Sequence, residues 1–154
     1  MGLNMISAAS LTALLFLVGG GPSFAQEADV KAAIVAYHSA IESLDAAKMD
    51  PLWVHDASVM LVNPADKSIA IGWDAAKKSW ETALNVISEL KLTQTDGPHI
   101  QVKGDVAWST GLVTADAKLK SGQTVSNPTF ETDVFAKRDG RWLLVSHTAS
   151  RAHK

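Results

Sequence analysis

Apolar side chains recur at helical spacing from Val30 onward. Val30, Ile34, Tyr37, Ile41 and Leu44 share one stripe, with Ala33, Ala36 and Ala40 beside it. This spacing predicts an amphipathic helix whose stripe faces a core. Glu27 and Asp29 read as its first turn, where carboxylates suit the helix dipole. Asp50-Pro51 has the form of an N-cap followed by proline at the first helical position, and predicts a short helix through Trp53 and Val54. Residues 58–62 read as a strand halted by Asn63-Pro64, with residues 68–71 pairing back on it. Gly72 opens a third helix, from Trp73 to about Ser88, with Trp73, Ala76, Trp80, Ala83 or Leu84, and Ile87 turned inward.

Beyond Ser88 the period drops to two, the signature of strands. Residues 90–95 and 100–102 form one strand broken around Gly97-Pro98, and residues 106–118, 124–137 and 142–149 form three more. Three helices followed by an antiparallel meander is an α+β order. Lys137-Arg138-Asp139-Gly140-Arg141 reads as a type I turn closed by glycine in the left-handed region. A three-residue loop sets Lys137 opposite Arg141, Asp133 opposite Val145 and Glu131 opposite His147. Glu131, Asp133, Phe135, Val145 and His147 then share one face, and Phe130, Val134, Trp142 and Leu144 the other. A two-residue loop would shift the register and part His147 from Asp133.

The chain has 154 residues, 47% hydrophobic and 19% charged, which suits one globular domain. Its formal net charge of -2 and the lack of a basic run argue against nucleic acid as a partner. Without cysteine, disulfide and thiolate chemistry are excluded. The first 25 residues hold no Asp, Glu, Lys or Arg. Residues 8–18 are apolar, Gly19, Gly20, Gly21 and Pro22 follow, and Ser23-Phe24-Ala25 supplies a small-x-small cleavage pattern. We read residues 1–25 as a signal peptide, although Met1 to Ser7 lack the usual Lys or Arg. The remaining domain, residues 26–154, is then periplasmic or secreted, with no membrane contact after cleavage.

Several blocks of that domain resemble the SnoaL-like, or nuclear transport factor 2-like, superfamily. Residues 33–63 hold a long helix, a short one, His55-Asp56-Ala57 and a strand. Gly72-Trp73-Asp74 leads into a helix with Trp80, and Gly104-Asp105-Val106-Ala107 opens a strand. Thr132-Asp133-Val134-Phe135, followed by Asp139-Gly140-Arg141-Trp142, is the most diagnostic piece. The resemblance implies a cone-shaped α+β fold: a curved antiparallel sheet wrapped around three N-terminal helices, with a cavity at its open end. It implies no single activity, because the superfamily includes isomerases, cyclases, dehydratases, assembly modules and binders. Tyr37 falls where ketosteroid isomerase places an oxyanion-hole tyrosine, and Asp133 where it places a protonated aspartic acid. That family's basic aspartate is replaced by Leu61 or, aligned on the proline, by Asn63, so steroid isomerisation by the same base is not expected. Many SnoaL-like chains and the calcium/calmodulin kinase association domain end on a histidine pair and a serine. Here Ser146, Thr148 and Ser150 hold those positions, and His147 stands one residue off.

Tyr37, Asp133 and His147 are the candidate catalytic residues, because a carboxylate can orient a histidine for proton transfer near neutral pH. Trp53, Trp80 and Phe135 are the candidate ligand contacts, in a pocket suited to an apolar or aromatic molecule. Internal ion pairing is the alternative reading for Asp133 and His147, and ordinary core packing the alternative for Tyr37 and the tryptophans. His38, beside Tyr37, reads as a solvated flank residue. No metal-ligand spacing and no nucleotide-binding loop is present, and no cofactor is expected. The leading expectation is an exported small-molecule binder, with or without weak acid–base activity. An isomerase or dehydratase-like enzyme and a non-catalytic dimerisation module are the alternatives. A homodimer is expected through Phe130, Val134, Trp142 and Leu144, and Tyr37→Phe is expected to weaken a phenolic ligand by roughly 1 to 3 kcal/mol.

Overall fold

The first helix, α1 (Pro22–Glu42), buries Val30, Ile34, Tyr37 and Ile41, the stripe that the spacing predicts. The structure, a computed structural model, describes residues 22–152. The predicted signal segment therefore lies outside the described residues, apart from its end from Pro22 on. Because α1 begins at Pro22, Glu27 and Asp29 fall beyond its first turn, which carries no acid. Leu44 is outside the helix and adopts a left-handed φ of 56°, reversing the chain.

Two 3₁₀ turns, Ala46–Lys48 and Asp50–Leu52, replace the single short helix expected there. Asp45, not Asp50, supplies the cap: its carboxylate accepts from the Ala47 N–H at 3.0 Å. The Asp50 carboxylate accepts instead from Lys77 Nζ at 3.1 Å. Then come β1 (Met60–Val62), β2 (Ala70–Ile71) and α2 (Trp73–Asn85). The second helix buries Ala76, Trp80 and Leu84, and it stops before Ile87, which starts β3.

Strands β3 (Ile87–Lys103), β4 (Val106–Leu119), β5 (Thr124–Arg138) and β6 (Arg141–Arg151) form the expected antiparallel meander. The full order is β2-β1-β6-β5-β4-β3. β1 runs antiparallel to β2, as expected, but parallel to β6, so the sheet is mixed. No local pattern signals that last pairing, because the partners are far apart in the chain. The sheet curves, remains unclosed and holds the helices against its inner face, giving the cone-shaped α+β architecture. β3 is bulged between Gln94 and His99. Gly97 there has φ 82°, and a Cβ would come within 2.9 Å of the Thr110 carbonyl oxygen, so the bend requires glycine.

The last hairpin corrects the expected register. Arg138 pairs with Arg141, so the loop has two residues, Asp139 and Gly140, both with positive φ. That combination fits a right-twisted hairpin better than the predicted three-residue loop. Trp142 and Leu144 consequently face inward and are buried in the core with Phe135, not on the outer face. A bulge then adds one residue to β6: Phe135 pairs with Leu144, but Val134 pairs with Ser146 and Asp133 with His147. The inward parity of β6 changes from Trp142 and Leu144 to His147 and Ala149.

Candidate functional site

On β5, Thr129, Glu131, Asp133 and Phe135 alternate onto the inner face and are buried. Two carboxylates on one buried strand face need two partners, because an unpaired charge there would be strongly disfavoured. His147 supplies the first. The β6 bulge sets it opposite Asp133, and its Nδ1 donates to Asp133 Oδ1 at 2.7 Å. Leu61 lies beside it across the parallel β1–β6 ladder. From α1, the Tyr37 ring meets the imidazole edge-on at 5.1 Å, and from α2 the Trp80 ring lies 5.9 Å away.

His38 supplies the second partner. Far from being solvated, it is partly buried, and its Nε2 donates to Glu131 Oε2 at 2.9 Å. The pair of inward carboxylates was the sequence signal for such a partner. Helical spacing alone does not reveal the partner, because His38, adjacent to Tyr37, falls at the edge of the apolar stripe.

Electrostatics follow from this arrangement. Burial pulls the His147 pKa down, but the hydrogen bond and negative charge of Asp133, joined by Glu131, leave it above its ordinary value. For Glu131, burial pushes upward, and the His38 hydrogen bond with the charges of His147 and His38 outweighs it, so the carboxyl stays ionised more readily than usual. Burial, then Asp133 and Glu131, push the Tyr37 phenol well above its ordinary range.

A cavity of about 880 Å³ opens between α2, the β1–β2 loop and the inner sheet face. Ile41, Trp80, Leu84, Leu90 and Leu92 give it an apolar wall, and Asn63, Glu131 and His147 add polar groups. Asn63 is held by its amide donating to Asp66 Oδ2 at 3.1 Å and Ser79 Oγ at 3.0 Å. Of the sequence candidates, Trp80 and His147 line this wall, whereas Tyr37, Trp53, Asp133 and Phe135 stand behind it. Tyr37 bridges the layers, with Trp53 and Trp80 each edge-on to its ring at 5.9 Å. Among the described residues, no group of three or more His, Asp and Glu side chains is arranged to hold a metal ion. His147 Nε2, with no protein partner among the described residues, is the ring nitrogen left to exchange a proton with a molecule in the cavity.

The Tyr37 hydroxyl is fully buried and also lacks a partner among the described residues. That changes the expectation for Tyr37→Phe, since removing an unsatisfied buried donor relieves a desolvation cost. The variant should unfold at the same or a higher temperature, by up to about 1 kcal/mol in stability. A clear drop in its melting temperature would show that the hydroxyl is bonded after all.

A family model for the SnoaL-like domain matches residues 30–153. No curated protein matches the chain. Among solved structures, a nuclear transport factor 2-like superfamily protein from Salmonella enterica serovar Typhimurium superposes with a TM-score of 0.78 at 21% identity, over 85% of this chain and 94% of that one. A protein of the same superfamily from Streptomyces avermitilis gives 0.78 at 22% identity, over 86% and 99%. A ketosteroid isomerase-like protein from Erwinia carotovora gives 0.71 at 17% identity, over 84% and 98%. At these identities the likeness is one of fold alone. The family match spans nearly the whole described domain, and the curved sheet, the helices on its inner face and the cavity agree with it: this chain belongs to the SnoaL-like domain family.

Proposed function

We propose that this protein binds a small, largely apolar molecule in its cone cavity, against Trp80 and His147. The observation that carries this reading is a cavity of about 880 Å³ whose apolar wall is interrupted by His147, which Asp133 holds from behind. Native mass spectrometry of protein taken from its own host should show a bound organic molecule that is lost on unfolding. Protein that arrives ligand-free, and takes up no apolar probe afterwards, would refute the reading.

A second reading, an isomerase or dehydratase-like enzyme, is favoured by the raised His147 pKa. A histidine held at Nδ1 by a carboxylate, with Nε2 turned to the cavity, is suited to act first as an acid. His147 Nε2 would give a proton to a ligand oxygen, and Asp133 would hold the ring in place. Tyr37, whose ring packs on the imidazole, fixes its orientation. Turnover of the co-purified molecule by the wild type, and none by His147→Gln, would establish this activity, and equal rates would exclude it.

We further propose that the protein is exported and self-associates. N-terminal sequencing should then find Gln26 first. The face expected for the dimer changes, because Trp142 and Leu144 are buried. The outer face instead exposes Trp108 at 42% and Phe130 at 53%, with Val106 and Met60. Trp108 pairs with Val134 across β4–β5 on that face. An apolar patch of this kind marks an interface. Light scattering should give a dimer for the wild type and a monomer for Trp108→Arg; a monomeric wild type at micromolar concentration would reject the dimer.

A further inference from the structure

Glu131 is the one carboxylate in the deep wall of the cavity, beside His147. Its Oε2 is taken by His38, and its Oε1 has no partner among the described residues. The side chain is about nine-tenths buried, so bulk water does not solvate that oxygen freely. A carboxylate oxygen on a mostly buried side chain, in a largely apolar cavity, is best satisfied by a donor on the occupant. The charge of that donor is constrained from two sides. Lys67, Lys78 and Arg151 line the outer part of the cavity against a single acid, Asp66, whose carboxylate is turned to Asn63 and Ser79. These cations disfavour a cationic guest. At depth, the Glu131 carboxylate disfavours an anionic one.

We infer that Glu131 is the polar anchor of the cavity and that its occupant is a neutral, apolar alcohol or phenol whose hydroxyl donates to Glu131 Oε1. This rests on the cavity being a binding site, and it adds what the bound molecule must carry. His38 acts as a positioning residue: by occupying Oε2 it turns the other oxygen toward the guest. The hydroxyl would then lie beside His147.

A matched pair of probes tests the idea, 2-naphthol and 2-methoxynaphthalene, which share a ring system but differ in the O–H donor. Binding to the full chain can be followed by quenching of tryptophan fluorescence, since Trp80 lines the cavity. The wild type should bind the naphthol about tenfold or more tightly than the ether, the scale of a hydrogen bond to a charged acceptor. Glu131→Met, checked by its melting curve, should bring the two affinities together by weakening the naphthol alone. If both probes bind the wild type equally, the Glu131 anchor is wrong while the cavity reading stands. If 2-naphthoate binds more tightly than the naphthol, the outer cations govern selection and the anchor is again wrong. Binding of none of the three would overturn the cavity reading and the anchor together. If Glu131→Met fails to fold, Glu131→Gln, which removes the charge and keeps the shape, should cut the ratio, and an unchanged ratio there would place the bond on His147 and overturn the anchor.

Discussion

Replacing Asp133 with alanine is expected to cost about 3 kcal/mol of stability in mildly acidic solution and much less in alkaline solution. The residue is buried, and His147 Nδ1 donates to it at 2.7 Å. In the wild type the His147 pKa is raised in the folded state. A group of that kind contributes stability that is fully present below its unfolded pKa, near 6.5, and lost as the pH rises through the folded value. Without Asp133, burial acts on the imidazole with only the Glu131 charge in opposition, and the folded pKa falls. The variant then loses stability on acidification, where the wild type gains it. Denaturant unfolding at about pH 5.5 and about pH 8.5 brackets the ordinary histidine range. The lower of these stays above the window of Glu131, whose lowered pKa contributes stability present above its unfolded value and lost as the pH falls through the folded one. The gap between wild type and variant should be widest at the lower pH. An equal gap at both would mean that the pair carries no charge worth protecting.

Trp53→Ala should be at least as damaging, lowering stability by about 3–5 kcal/mol at any pH. Trp53 was a candidate ligand contact, yet it is only 2% exposed and does not line the cavity. It is wedged between Tyr37, edge-on at 5.9 Å, and Trp73 at 6.4 Å, and its backbone bridges to Leu144 of β6. Truncation removes a large buried surface and leaves a void that rigid neighbours cannot fill. Trp80 supplies the contrast, since it does line the cavity, although the indole N–H of each residue lacks a partner among the described residues. Trp80→Phe should therefore unfold close to the wild type and change probe affinity instead. Urea midpoints for the two variants, read with probe binding, separate the roles. A Trp53→Ala protein near wild-type stability, with lost affinity, would place Trp53 back at the ligand.

What the sequence determined by itself was everything that depends on period and local chemistry. The stripe from Val30 to Ile41, the inward Ala76, Trp80 and Leu84 of α2, and the alternation of Glu131, Asp133 and Phe135 each follow from spacing a few residues long. So does the α+β order, while the resemblance to the SnoaL-like family rests on particular blocks such as Thr132-Asp133-Val134-Phe135. The same local rules placed Tyr37, Trp53, Trp80, Asp133, Phe135 and His147 indoors, and all six are buried. Element ends were less legible, as at Leu44 and Asp50, where a left-handed residue and a pair of 3₁₀ turns break the simple capping pattern.

Tertiary structure decided which side chains meet. The loop at Asp139-Gly140 has two residues, and an unbroken ladder from it would have parted His147 from Asp133. The β6 bulge restores the meeting by changing parity between Leu144 and His147. Neither the bulge nor the parallel β1–β6 ladder has a local signature. The bulge keeps Trp142 and Leu144 buried on one side of it and pairs His147 with Asp133 on the other. His38 reached Glu131 for a similar reason: a buried carboxylate on β5 draws its partner from a helix 93 residues away in the chain. Period and turn chemistry act over a few residues, whereas the demand to pair every buried charge acts only once the core has closed.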